Sequence, residues 1–428
     1  MPSLPAIFNC LTCGEQHVLF NASSTVVYVC GQCNGVITQN ANGWHSTSVL
    51  KPAKGKLLIT PGATGVLRGK QYIVVTATER YETASTDYWT EYTLMRKEDH
   101  ALAFLSTYNG HWNLMEPLEE KMLPTDLIEN PDQPTVVWNG KKFERFSRYY
   151  AKYQYANGEF HWENNMQRGV QCVEYIHPPY LLVIEYEKKA GGEKDIFGGE
   201  YISRKEVSDA FCNGITLPAR TGVAPAQPFP LPAEPRRFLV GTLVFCILAF
   251  IIQSIYNHHQ EQRQVFSQQF FIDDSTANKP IVTPSFTLND RTSNMEVTIN
   301  SDVNNNWCEA AISLVNEQNG KEAAFEVGAS YYSGVSDGDY WSEGEKVQKE
   351  FVCSVPPGTY HFVITPTKEA TGPPVSFNII VYWDVPTFWN AVVLSLVLAV
   401  LAAVLYWAKR SFEQQRWEES NVNNNFVI

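Results

Sequence analysis

Basic side chains are in short supply. The 428 residues hold 33 Lys and Arg against 45 Asp and Glu, a formal net charge of −12. Lys51, Lys54, Lys56, Arg68 and Lys70 form only a modest cluster broken by apolar residues, so the domain-wide basic footprint of a nucleic-acid reader is missing and no nucleic-acid partner is expected. The start of the chain, MPSLPAIFNC, has neither the basic opening nor the long apolar run of a secretory signal. Residues 51–215 lack long helical periodicity, which excludes a helical bundle there. Glu91, His100, His111, His161, Glu174, His177 and Glu185 occur without any nucleophile, acid/base or catalytic metal spacing, so no catalytic residue is assigned. Charge is also absent from Phe238 to Tyr256 and from Phe388 to Trp407. This last absence organises the rest. At roughly 1.5 Å per residue each stretch is about as long as a bilayer core is thick, so 238–256 and 388–407 are expected to be transmembrane helices. Arg236 and Arg237 before the first, and Lys409 and Arg410 after the second, put both termini in the cytoplasm and residues 257–387 on the far side.

Two spans divide what is present. Nine cysteines sort by compartment. Cys10, Cys13, Cys30 and Cys33 form a C-x2-C-x16-C-x2-C pattern with Gly14, Gly31 and Gly35 beside the pairs, two tight knuckles able to close a tetrahedron round zinc. Residues 1–48 therefore read as a zinc ribbon, and four sulfurs fill every position of its metal, which makes the expected zinc structural. His17 and His45 flank it as packing or surface residues. Cys308 and Cys353 lie in the far-side loop, the only pair placed for a lasting disulfide; they either bond or remain two thiols. That loop carries most of the surplus acid, 17 acidic against 7 basic side chains in 257–387.

Between ribbon and membrane, residues 51–213 alternate Val, Ile, Tyr, Trp and Thr runs with turn residues and are expected to be mainly antiparallel β. Asn109-Gly110 and Asn157-Gly158 read as turns, and Gly69-Lys70-Gln71-Tyr72 is echoed by Gly140-Lys141-Lys142-Phe143, which suggests two related β modules. Ser203 with Glu206 reads as a capping box opening a short helix to Phe211. Residues 214–235, rich in proline, read as a semi-extended tether that lets the head move, and 257–268 as a continuation of the first membrane helix. The outer body, 265–383, shows seven strand-like runs and reads as a β-sandwich. Its Asp337, Asp339, Glu343 and Glu345 round Trp341 suit calcium chemistry or a plain acidic turn, and Tyr331, Tyr332, Tyr340 and Trp341 a glycan or peptide platform. Residues 408–428 are a cytoplasmic tail whose Asn-rich end is expected to be disordered.

The CxxCG ribbon, Gly65-x-x-x-Gly69-x-x-Tyr72, Trp89-x-Glu91-Tyr92-x-Leu94, Phe104-Leu105 with Gly110-x-Trp112, and Glu200-Tyr201-Ile202-Ser203 together resemble the bacterial domain of unknown function 4178 over about residues 50–210. The resemblance implies a membrane-associated bacterial protein of mainly β structure, hence the inner membrane, and supplies no catalytic residues. The expectation is a two-pass membrane scaffold or sensor with protein partners or a homo-oligomer. Its alternative is a membrane-anchored enzyme with an active site in the β head.

Overall fold

Strands dominate because Val, Ile, Tyr and Thr recur at a period of two, which gives each run one face to bury. The computed structural model describes residues 6–40, 43–55, 57–161, 169–187, 194–212, 216–231, 234–289 and 291–422. Trp162 and the end of the tail, 423–428, expected to be disordered, lie outside the described residues. The chain forms two compact units, Met1–Ala233 with Leu405–Ile428, and Glu234–Val404.

In the first unit β1 (Ala6–Asn9) pairs with β2 (Gln16–Leu19), and β3 (Val27–Val29), β4 (Gly35–Asn40) and β5 (Gly43–Val49) follow in antiparallel order. Then come β6 (Thr64–Leu67), β7 (Lys70–Glu82), β8 (Tyr88–Arg96), β9 (Leu102–Tyr108), β10 (His111–Pro117), α1 (Thr125–Glu129), β11 (Thr135–Trp138), β12 (Lys141–Phe160), β13 (Val170–His177), β14 (Tyr180–Tyr186), β15 (Lys194–Ile202) and α2 (Arg204–Phe211). Strand pairing runs β7-β8-β9-β10-β15-β14-β13-β12 and returns from β12 to β7. The head is thus an antiparallel barrel of eight strands. β12 closes it by serving two neighbours in turn: Glu144–Ala151 pair with β13 and Lys152–Gly158 with β7.

This closure explains the sequence echo. The two similar runs are matching hairpins, β6–β7 and β11–β12, whose turns at Arg68-Gly69 and Asn139-Gly140 have positive φ at both central residues. Each opens one half of the ring, so the expected pair of modules is a single barrel. Asn157-Gly158 is not a turn; it lies inside β12, where a Cβ on Gly158 (φ +111) would sit 2.1 Å from Val75 O. Glycine there lets two backbones cross closely.

Both outer faces of the barrel are covered. Tyr72, Tyr92, Leu105 and Trp112 pack under Val207 and Phe211 of α2, each such buried side chain stabilising by about 1.5–3 kcal/mol relative to exposure. Ser203 caps α2 as a capping box with Glu206. Val173, Tyr175, Leu182 and Ile196 pack against Leu123 and Leu127 on the other side. β3 adds to the end of β12 through Gly158–Phe160, so the ribbon's strands extend the barrel sheet. The buried Glu159 carboxylate fastens that junction, accepting from the Phe20 and Asn21 amides and the Thr25 hydroxyl.

α3 (Pro235–His258), in the second unit, and α4 (Trp389–Glu418), which runs from the second unit into the first, are both long and apolar enough to cross a membrane. α3 stops at His258, and the continuation expected to be helical is instead β16 (Arg263–Ile272), paired along its length with β25. β17 (Ile281–Val282), β18 (Phe286–Leu288), β19 (Ser293–Ser301), β20 (Asn306–Asn316), β21 (Glu322–Ser336), β22 (Asp339–Glu345), β23 (Val347–Val355), β24 (Gly358–Lys368) and β25 (Val375–Trp383) complete two sheets, β16-β25-β19-β23 and β17-β24-β20-β21-β22 with β18 beside β24. Strict alternation along β24 and β25 sends Phe362, Ile364, Phe377, Ile379 and Trp383 into one core. Cys308 points into that core while Cys353, on the other sheet, is exposed, and both are free thiols; one side chain faces in and the other out, so they form no disulfide.

The proline-rich segment is not a loose tether where it is described. Leu217, Val223, Ala224 and Ala226 are buried within the first unit, and the guanidinium of Arg416, near the end of α4, donates to the carbonyls of Ala224, Pro225 and Gln227. Proline lacks an amide donor, so such a segment has few internal partners for its carbonyls; Ala224 O accepts also from the Gln227 amide, and Arg416 supplies donors to all three. Beyond α4, Asn421 both accepts from and donates to the backbone of Arg148, at 2.9 Å each, and Ser420 donates to Phe146 O. The C-terminal segment thus covers the edge of β12 between β11, paired at Lys141–Glu144, and β7, paired from Lys152.

Candidate functional site

Two features could carry function, a thiol cluster in the ribbon and a cavity in the barrel. β1–β2 and β3–β4 each end in a knuckle, and their four sulfurs, Cys10, Cys13, Cys30 and Cys33, lie within 4.8 Å of one another. Cys10 and Cys33 Sγ are 3.6 Å apart and Cys13 and Cys30 Sγ 3.7 Å. A tetrahedral thiolate centre with metal–sulfur bonds of roughly 2.3 Å has edges of about 3.8 Å, so the spacing fits one ion held by all four. Burial raises the Cys10 thiol, but backbone donors at Cys13 and Thr12 outweigh it and bring the thiol down to about 7, whereas burial pushes Cys30 up to about 12 and Cys33 above its ordinary value. His17 is more than packing: its Nε2 lies 3.2 Å from Cys30 Sγ, placed to donate to the sulfur. The pairing of β1 with β2, invisible in the Cys spacing, brings it there.

Carboxylates spaced far apart in sequence meet inside the barrel. Residues from all eight ring strands line a cavity of about 990 Å³. Glu91 of β8 and Glu185 of β14 both bond Arg80 of β7, which is 4% exposed: Nη1 lies 3.2 Å from Glu91 Oε2 and 2.7 Å from Glu185 Oε1, with a second bond at 3.2 Å from Nη2 to Glu185 Oε2. Trp89 and Tyr153 rings flank the guanidinium at 5.7 and 5.2 Å. Further round, Glu174 accepts from Tyr149 Oη at 2.6 Å and Ser147 Oγ at 2.9 Å. Burial holds the Glu174 carboxyl above its ordinary range, helped by the charges of Glu91 and Glu185 and opposed by these two hydroxyls. Asn113 Oδ1 is buried without a hydrogen-bond partner in the same lining. Leu102, Phe104, Met115, Leu181, Val183 and Phe197 make the apolar part of the wall.

Of the polar residues singled out by sequence, the structure joins Glu91, Glu174 and Glu185 and leaves the histidines elsewhere. His100 sits in the β8–β9 turn at φ +60. His111 is buried outside the cavity, its Nε2 donating to Thr221 O at 3.1 Å and its Nδ1 accepting from Tyr201 Oη at 3.0 Å. Burial lowers its pKa, which keeps it neutral. His161 follows the end of β12, and His177 bonds Lys142 O. Sequence reasoning misses Arg80; a charged residue next to the buried threonines and alanine of β7 is the available signal. The outer carboxylates Asp337, Asp339, Glu343 and Glu345 stand along the exposed β21–β22 hairpin. Among the described residues, the four cysteines are the one group of three or more such side chains whose ligand atoms come together as a metal would require.

No curated protein matches this chain. Among solved structures, infectious bursal disease virus of strain Gt aligns with 85% of this chain and 72% of its own at 11% identity and a TM-score of 0.17. The VP2 subviral particle of the same virus aligns with 90% of this chain and 75% of its own at 8% identity and a TM-score of 0.16. Neither likeness bears on fold or function. Residues 60–204 match the family described as a domain of unknown function, DUF4178, and since that stretch runs from before β6 to the start of α2, the eight-stranded barrel is the part of the chain that the match covers.

Proposed function

We propose a two-pass membrane protein whose barrel head, in the cytoplasm, binds a small molecule, with the β-sandwich on the other side of a bacterial inner membrane. The cavity of about 990 Å³ carries this reading, because eight-stranded barrels either fill their interior with side chains or hold one small ligand, and this interior is not filled. Both ends of the chain belong on one side, since Trp417 packs on Phe146 and Arg416 on residues 224–227 within the first unit. Zinc is the ion for the ribbon, as four thiolates with no open position suit a structural zinc site. The sandwich's exposed Tyr340 and Trp341 are a surface for protein, glycan or a second copy of the chain.

Catalysis in the cavity is the weaker reading. Cys172 lies 3.7 Å from Glu185 Oε1, and burial, with that negative charge, drives its thiol well above the ordinary range, the reverse of what an attacking thiolate needs. Native mass spectrometry of the full chain extracted from membranes is expected to show a retained small molecule that is lost on Val183→Trp, which fills the cavity; an identical spectrum for both proteins would defeat the binding reading. Topology has its own check. A membrane-impermeant maleimide added to intact cells should label exposed Cys353; labelling of Cys353 only after the membrane is permeabilised would place the sandwich inside and the head outside.

A further inference from the structure

The charges already inside the barrel select what can join them, so the following rests on the cavity being a binding site. Arg80 is the one basic side chain among the described residues that line it. Both of its anionic neighbours, Glu91 and Glu185, bond it directly, so the triad carries a net negative charge before any ligand enters. Glu174 is a further buried carboxyl, with Tyr149 and Ser147 as donors and no cation bonded to it among the described residues. Near the rim stand Glu82, Asp87 and Glu419. An arriving carboxylate or phosphate would find both terminal nitrogens of Arg80 already bonded to Glu91 and Glu185, with only its buried Nε–H lacking a partner, and would meet repulsion from the surrounding carboxylates. An arriving ammonium finds the buried Asn113 Oδ1 acceptor without a partner, the Glu174 carboxylate, and the ring faces of the aromatic wall. Phe104, Met115, Leu181, Val183 and Phe197 offer a hydrocarbon body a dry seat across the same space.

We propose that the barrel binds an amphipathic organic cation, an ammonium head set against Glu174 and Asn113 with its apolar body along Met115, Leu181 and Val183. Recognition then follows from charge neutralisation in a low-dielectric interior, where one carboxylate–ammonium pair discriminates strongly between charge types.

The test uses full-length protein in lipid nanodiscs and three matched probes, 4-phenylbutylammonium, 4-phenylbutanol and 5-phenylpentanoate, followed by titration calorimetry. The ammonium is expected to bind at least tenfold more tightly than the alcohol, and the carboxylate not to bind. Glu174→Gln, which keeps the shape and one acceptor oxygen while removing the charge, should weaken the ammonium at least tenfold while leaving the alcohol unchanged. Circular dichroism and metal content of each variant report on its fold. If the carboxylate binds as well as the ammonium and both are lost on Val183→Trp, the cation assignment fails while the cavity stands as a binding site. Should no probe bind, and native mass spectrometry show no retained molecule, both fall.

Discussion

Removal of the ribbon's metal is expected to unfold residues 6–40 while the barrel persists. The ribbon's own core is small, built on Leu19, Tyr28 and Ile37 with Phe8 and Trp44 beside the thiols, too little apolar surface to offset the ordering of its knuckles. A structural zinc contributes on the order of 10 kcal/mol to such a unit, and without it the four sulfurs that hold the knuckles 3.6–3.7 Å apart repel or simply separate. Purified protein should contain one zinc per chain by elemental analysis. Chelation, or Cys30→Ser, should abolish amide-exchange protection in β1 to β4 and leave the protection of β7 to β10 near its starting level. A chelated head that melts at the same temperature and retains protection in β3 and β4 would show that the cysteines hold no structural ion.

Arg80→Met is the point change with the largest expected cost in the barrel. It removes the shared partner of Glu91 and Glu185 and leaves two carboxylates facing each other inside the wall. Breaking a buried ion pair from one side costs about 3–5 kcal/mol, on the order of 10 °C in melting temperature for a unit of this size. The triple variant Arg80→Met, Glu91→Gln, Glu185→Gln carries no buried charge at this point and should regain most of the loss. If the single variant melts with the wild-type protein, Arg80 is solvated and the triad contributes nothing to the barrel.

The features legible in the sequence are those fixed by neighbours in the chain. Ser203 and Glu206 are three residues apart, so the capping box needs only its own turn. Asn109-Gly110 has positive φ at both residues, the conformation this dipeptide favours in a two-residue hairpin turn. Seven strands of the sandwich are visible in their alternation, whereas β16 is hidden because RQVFSQQFFI follows an apolar helix and carries scattered glutamines. Asn157-Gly158 misleads for a related reason: the same dipeptide that makes a hairpin turn also lets β12 pass within touching distance of Val75. The prolines of 216–231 suggest freedom, yet carbonyls in a segment short of amide donors are what the buried Arg416 needs.

By itself, the sequence determined the two uncharged stretches at the centre of α3 and α4 and the four-sulfur spacing, since length without charge and the distance between knuckles are properties of contiguous residues. Tertiary structure alone decided that the head is one ring, that its interior is left partly empty, and that Glu91, Glu174 and Glu185 meet there with Arg80. Alternation tells which side chains turn away from water; it does not tell whether they face a packed core or a space, because that depends on which distant strand closes the sheet.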